Sequence, residues 1–443
     1  MSVQVIDWAK LAAPERAHSL SRPLPERAAL AAQVAAIVAE VRAGGDRAVK
    51  AFTRQFDGAE SAGYPVPEQE IAAADAALTA EQRSALDRAI ECVRAFHSAQ
   101  RASRIKVSTA PGVVCERFAV PLDSVGLYVP AGSAPLPSTA IMLAVPAALA
   151  GCPNRVLCTP PSRSGAADPA VLAVAARLDI RSVFTVGGAQ AVAALAYGTE
   201  SIPKVQKIFG PGNAWVTAAK LLVSQDPDGA ACDLPAGPSE VLVIADESAD
   251  AAFVAADLLA QAEHDPCAQA LLITCSARLA QATAREIAAQ QPNLSRGAIV
   301  SRALSHCRLI VVPDIATAVD LSNSYAPEHL LLQVREPRRL LARVRAAGSV
   351  FLGRWTPETL GDYCSGANHV LPTNGYARAY SGLSLSDFER RITVQEATAE
   401  GLQELGPVAH TLAQLEGLDG HARAVSLRLE ALNREQLARD RAL

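Results

Sequence analysis

Glu240-Val241-Leu242-Val243-Ile244-Ala245 is a run whose side chains are apolar on both faces. A strand of that kind is covered on each side, as in a parallel sheet sandwiched between helices. Reading forward from it, the pattern predicts a helix over 249–262, a strand over 270–275 and a helix over 277–290. Strands over 309–312, 329–334 and 349–352 follow, with helical stretches between them. Reading backward, a similar series precedes it. Arg155-Val156-Leu157-Cys158 reads as a short buried strand stopped by Pro160-Pro161, with an Ala-rich helix over 169–178 after it. Then come a strand over 182–186, a helix over 190–196, the strand Lys207-Ile208-Phe209 and a helix over 213–223. Apolar strands alternating with amphipathic helices in two series predict an α/β protein with two parallel sheets.

The ends of the chain read differently. From Pro25 to Ala102 the pattern is mostly helical, apart from a turn around Gly63-Tyr64-Pro65, and Leu86, Ile90, Val93 and Phe96 recur at helical spacing. Beyond Ser381 the chain again reads as helical, with Val425, Leu427, Leu429 and Leu432 near its end. That tail is too short for a core of its own and must pack on something. With 443 residues the chain exceeds what one core usually serves, so at least two domains are expected.

Composition narrows the class. Half of the residues are hydrophobic and 19% charged, which excludes extensive disorder. The formal net charge is -4, which argues against nucleic acid or an anionic membrane as partner. The longest apolar stretch, 140–150, contains Pro146 and falls short of the roughly 20 residues that span a bilayer. The first residues lack a charged-then-apolar signal pattern. Nine scattered cysteines without a CxxC pair fit reduced thiols, so a cytoplasmic protein is expected.

Several short motifs carry possible chemistry. The dinucleotide fingerprint G-x-G-x-x-G is absent. Its nearest match, Gly210-Pro211-Gly212-Asn213-Ala214-Trp215, has a Trp in place of the third glycine. It still leads from a strand into a helix N-terminus, where free N–H groups favour anions, though a plain strand-to-helix turn reads equally well. In Gln261-Ala262-Glu263-His264-Asp265-Pro266, Gln261 and His264 lie three apart and would share one face of a final helical turn. Together they could offer a borderline metal an oxygen and a nitrogen. Taken alone, the segment favours a His at the negative end of a helix dipole, and the helix would end at the strands' amino edge, whereas α/β sites usually lie at the carboxyl edge. Ala326-Pro327-Glu328-His329, at a strand entrance, could be an acid–base pair or an exposed dipeptide. Gly361-Asp362-Tyr363-Cys364-Ser365-Gly366-Ala367-Asn368-His369 and Glu416-Gly417-Leu418-Asp419-Gly420-His421 are open in the same way. Cys115 and Cys152 could be nucleophiles, though small buried cysteines are ordinary in cores.

In this order the motifs resemble the histidinol dehydrogenase family. The resemblance rests on Gly126 to Gly132 (GLYVPAG), Val186 to Ala191, Phe209 to Asn213 and Asp233 to Glu240 (DLPAGPSE). It also rests on Gln261 to Pro266, Ala326 to His329, Gly361 to His369 and Glu416 to His421, and it covers the chain from about Pro25 onward.

The resemblance implies an NAD-linked, zinc-dependent enzyme that oxidises L-histidinol to L-histidine in two steps through an aldehyde, closing histidine biosynthesis. By the family's pattern Gln261, His264, Asp362 and His421 hold zinc. His329 takes the alcohol proton, and Glu328 activates the water that adds to the aldehyde, which leaves no need for a cysteine nucleophile. Ser239, His369 and Glu416 match further substrate contacts, alongside the metal ligands and His329, while Tyr128, Gln190 and Asn213 match cofactor contacts. The family's architecture implies two incomplete Rossmann-like α/β domains, one inserted in the other, with helical terminal segments. On that pattern 1–24 is an N-terminal extension, 25–127 with 240–381 the domain of metal and base, 128–239 the cofactor domain, and 382–443 a helical tail. A homodimer is implied, with Glu416 and His421 reaching the partner's site. The competing functions are a relative oxidising another small alcohol, a zinc hydrolase using Glu328, and a metal-binding protein without catalysis.

Overall fold

The structure, a computed structural model, describes residues 3–23, 27–59, 65–131, 134–235 and 237–441. The expected turn at Gly63-Tyr64 and the boundary at Pro25 lie outside them, as do Gly132 and Ala236 of the family motifs.

Fourteen strands run in chain order among the described residues: β1 (Gln4–Asp7), β2 (Ile105–Ala110), β3 (Val113–Pro121), β4 (Ser124–Tyr128), β5 (Asn154–Thr159), β6 (Ser182–Thr185) and β7 (Lys207–Phe209), then β8 (Ala231–Cys232), β9 (Glu240–Ala245), β10 (Gln269–Thr274), β11 (Arg308–Val311), β12 (His329–Gln333), β13 (Ser349–Leu352) and β14 (Glu389–Ala397). The chain forms two compact units. One comprises Met1–Gln100 with Leu122–Phe388, the other Arg101–Pro121 with Glu389–Leu443.

The larger unit holds both expected parallel sheets. One is six-stranded in the order β1-β11-β10-β9-β12-β13, the other five-stranded in the order β6-β5-β4-β7-β8. Every residue of β9 and β10 is buried, as the two-faced apolar run requires. Apolar side chains from Val241, Val243, Leu258, Leu272 and Leu331 fill one face of the six-stranded sheet, and Leu242, Ile244, Leu271, Ile310 and Leu330 fill the other. Each sheet reverses its strand order once, between β9 and β12 in one and between β4 and β7 in the other. The helices and strands expected in the two series are present, with ends moved by a residue or two.

Strand pairing revises the expected partition. Residues 4–7 are not a loose extension: β1 pairs in parallel with β11 at the edge of the six-stranded sheet. Of the segment before Tyr128, only β1 joins the sheet that resumes at Glu240. β4 pairs with β5 and β7, and the helices Arg27–Asp57 and Ala80–Ser98 pack on helices of the five-stranded sheet. One α/β layer is inserted in the other, as the family pattern implied, but the insertion begins well before residue 128.

The smaller unit is an antiparallel ribbon in the order β14-β3-β2 followed by two helices, Ala399–Leu415 and Asp419–Asp440, which pack on each other. The stretch after Ser381 therefore contains a nine-residue strand before its helices, where the sequence suggested helix throughout. No helix among the described residues is long and apolar enough to cross a membrane.

Candidate active site

The helix Ala251–Ala262 carries Gln261 in its last turn, fully buried. Glu263 caps it and His264 lies in the turn beyond, its N–H donating to the Gln261 carbonyl at 3.2 Å. The two side chains therefore neighbour each other across a helix end and not within one regular turn. The short helix Glu358–Tyr363 supplies Glu358 and, four residues on, Asp362. Ligand atoms of His264, Glu358 and Asp362 all lie within 4.8 Å of one another. The Gln261 amide is satisfied when its nitrogen donates to the Glu240 carbonyl (3.2 Å) and to Glu358 Oε1 (2.7 Å). Its oxygen then points the other way.

Helix Ile315–Tyr325 ends on Ala326, held in the left-handed region at φ 55°. This is a costly conformation for a residue with a Cβ, and it turns the chain sharply into Pro327-Glu328-His329. His329 opens β12 and is buried. Its Nδ1 lies 3.1 Å from the Glu240 carbonyl. A carbonyl only accepts, so Nδ1 carries a proton and any base chemistry of this ring falls to Nε2. Nε2 is buried 3.4 Å from Asp362 Oδ1, close enough for an ion pair when the ring is charged. Glu328 Oε2 accepts the Glu240 N–H at 2.7 Å and lies 3.6 Å from His329 Nδ1, and Glu358 Oε1 lies 3.5 Å from the same nitrogen.

Burial disfavours a charged ring at His329, but Glu358, Glu328 and Asp362 outweigh it and hold its pKa well above the ordinary value. Burial raises the Glu328 carboxyl to about 8 and pushes Glu358 well above the usual carboxylate range. At Asp362 burial also opposes charge, yet the His329 ring wins and the pKa is lowered. His264 keeps a solvent-exposed edge, while the protein around it desolvates the ring enough to lower its pKa. Nitrogen and oxygen donors converge here, and Glu358 Oε2 is buried with no partner. Such a donor set fits a borderline divalent cation such as zinc.

His369 connects this cluster to the other sheet. Its Nδ1 donates to the Asp362 carbonyl at 2.8 Å, which leaves Nε2 to accept from Thr139 Oγ1 at 3.1 Å. Thr139 lies in the first turn of the helix that follows β4. At the carboxyl ends of β4 and β7, Tyr128 is buried and its hydroxyl accepts the Gly188 N–H at 3.1 Å. Gln190 is buried one turn into the helix Gly188–Tyr197. Asn213 caps the helix Ala214–Ser224, its side-chain oxygen accepting from the N–H of Trp215 and Val216. Gly210, at φ 126°, could not be another residue: a Cβ there would meet the Tyr128 carbonyl oxygen at 2.1 Å. These groups rim the strand-order reversal where α/β sheets bind nucleotides, and they fit a dinucleotide held without the glycine fingerprint.

Of the residues read from the sequence, Gln261, His264, Glu328, His329, Asp362 and His369 converge, and Ser239 directly precedes β9. Glu416 and His421 belong to the smaller unit, exposed where its two helices join. Glu358 was not read, although it stands four residues before Asp362 after Pro357, a spacing that puts both carboxylates on one helical face.

A sequence model described as histidinol dehydrogenase matches residues 20–429. A histidinol dehydrogenase of Xanthomonas campestris pv. campestris (strain 8004) is 54% identical over 428 residues, 96% of this chain and 99% of its own. One from Vibrio vulnificus (strain CMCP6) is 52% identical over 432 residues, 97% of this chain and 99% of its own. A crystal structure of histidinol dehydrogenase from Elizabethkingia anophelis superposes with a TM-score of 0.92 at 42% identity, covering 98% of this chain and 99% of that one. These matches run over nearly the whole length of the chain and of its relatives, and this chain belongs to the histidinol dehydrogenase family.

Proposed function

We propose that the chain oxidises L-histidinol to L-histidine in two NAD-linked rounds, using zinc held by Gln261, His264, Asp362 and, from a second copy, His421. The observation that carries this is His329: its Nδ1 is held by the Glu240 carbonyl, and its Nε2 faces the cluster. When bound, zinc supplies a Lewis acid that orients the substrate nitrogens and positive charge that offsets the carboxylates holding His329 protonated. NAD supplies the hydride acceptor in both rounds.

In the first round His329 Nε2 takes the hydroxyl proton as the carbinol hydride leaves, giving the aldehyde. Glu328 then takes a proton from the water that adds to the carbonyl. His329 serves again when the hydrate loses hydride and becomes the acid. Ser239, His369 and Glu416 hold the substrate's polar ends, and Tyr128, Gln190 and Asn213 hold the cofactor.

Histidinol and NAD are expected to give two NADH per substrate, and dialysis against a chelator is expected to abolish this until zinc returns. A chain that forms no NADH from histidinol at any zinc level is not a histidinol dehydrogenase, and hydrolase or purely metal-binding readings would then take over.

The working form is a homodimer with shared sites in the cytoplasm. In support, the smaller unit leaves Val408, Leu412, Leu415, Leu418 and Leu427 exposed, with Leu415 at 78%, an apolar surface that needs cover. Two inactive variants, one at His329 and one at His421, are therefore expected to regain partial activity as heterodimers. Properly formed heterodimers with no activity would count against sharing.

A further inference from the structure

The residue that meets the acid–base pair most often is Glu240, at the start of β9. Its N–H fixes Glu328 Oε2 at 2.7 Å. Its carbonyl receives His329 Nδ1 at 3.1 Å and the Gln261 amide at 3.2 Å. The peptide groups on either side of one Cα thus set the direction of both acid–base side chains and one metal-ligand candidate.

The first residue of a strand has little in the ladder to hold it, so something else must fix these peptides. The Glu240 carboxylate does so. It is buried, and Arg22 meets it with two parallel hydrogen bonds, Nε at 2.5 Å and Nη2 at 2.9 Å. Oε1 also accepts the Asn374 N–H at 2.9 Å. A forked guanidinium contact fixes both distance and plane, which a point charge cannot. Arg22 is itself fixed. Its guanidinium lies 3.8 Å over the Tyr325 ring and donates to the Tyr325 carbonyl at 2.9 Å. The Tyr325 hydroxyl donates to Gln269 Oε1 at 2.6 Å, and Gln269 Nε2 donates to the Ser21 carbonyl at 2.8 Å. The loop of contacts closes on Arg22's own chain neighbour.

We propose that Arg22 and Glu240 are a positioning pair which fixes the first peptide groups of β9 and, through them, the orientation of Glu328 and His329. Neither side chain touches substrate. This rests on the oxidation assigned above to His329 and Glu328, and turnover of histidinol by the unaltered protein tests that assignment separately.

Arg22→Lys keeps the charge and so the fold, but offers one contact in place of the fork. The double variant Arg22→Met with Glu240→Gln removes the pair without leaving a buried charge. Both are assayed as zinc-loaded full-length protein, well below the melting temperature, with turnover expressed per bound zinc. Arg22→Lys is expected to lose about tenfold in kcat and the double variant up to about 10²-fold, the scale of misplacement by a fraction of an ångström to one ångström. KM for histidinol should stay within about twofold, since substrate contacts are intact. The kinetic isotope effect from deuterium at the carbinol carbon should rise as the chemical step becomes limiting. Unchanged kcat per zinc in both variants overturns the proposal. So does a loss that merely follows zinc content or folded fraction, because that is a structural role only.

Discussion

His329→Asn is expected to leave zinc bound and to cut histidinol oxidation by about 10²- to 10⁴-fold, the range over which a positioned general base acts. The choice of Asn isolates one atom. Its amide nitrogen can stand where Nδ1 stands and keep the donation to the Glu240 carbonyl now made at 3.1 Å. What it lacks is Nε2, the buried nitrogen beside Asp362. The strand entrance and the neighbouring carboxylates are then preserved, and the loss reads the base alone. Removing an imidazolium also relieves Asp362 of the charge that lowers its pKa, so zinc per chain must be measured alongside NADH formation. Near-normal turnover with full zinc would remove His329 as the base. Loss of zinc in step with turnover would make it part of the metal site.

That such a base could be found from sequence depended on how far each signal reaches along the chain. β9, β10 and β12 were legible because burial on both faces demands uninterrupted apolar side chains. β14 was not: all but its first residue are exposed, and Arg390, Arg391, Thr393 and Gln395 interleave Ile392 and Val394 in a way that polar helices also show. β1 was missed as a four-residue edge strand whose only buried side chain is Ile6. The site divides along the same line. Motifs close in sequence, such as Glu328-His329, could be noticed, whereas Arg22 meets Glu240 across more than two hundred residues and Ser21-Arg22-Pro23 has no local signature.

The position of the cluster shows a rule used correctly with too little context. Gln261, Glu328 and His329 do lie at the amino edge of their sheet, the edge where α/β sites are uncommon. Yet His369 ties this edge to Thr139, just after β4 of the five-stranded sheet, whose carboxyl edge carries Tyr128 and Gly210. The residues at the amino edge of one sheet are thus joined through His369 to the segment at the carboxyl edge of the other. An edge taken alone therefore says little about a cluster that also draws on a second sheet.

His264→Ala is expected to leave the protein essentially zinc-free after dialysis and to reduce turnover by about 10²- to 10³-fold or more, the several kcal/mol that a bound metal contributes converted at about 1.4 kcal/mol per tenfold. Glu358→Gln should behave differently, although its carboxylate stands in the same cluster. Glu358 Oε1 accepts from the Gln261 amide nitrogen at 2.7 Å, so it fixes which way the Gln261 amide points. Partners that orient a ligand typically cost about 10- to 100-fold in metal affinity when removed. Titrating zinc into both apo variants separates the two roles. Glu358→Gln should recover activity at raised zinc with a normal KM for histidinol, and His264→Ala should not. If Glu358→Gln proves as irrecoverable as His264→Ala, then Glu358 is itself a ligand, its unpaired Oε2 the donor atom, and the ligand set implied by the family's pattern needs a fifth member.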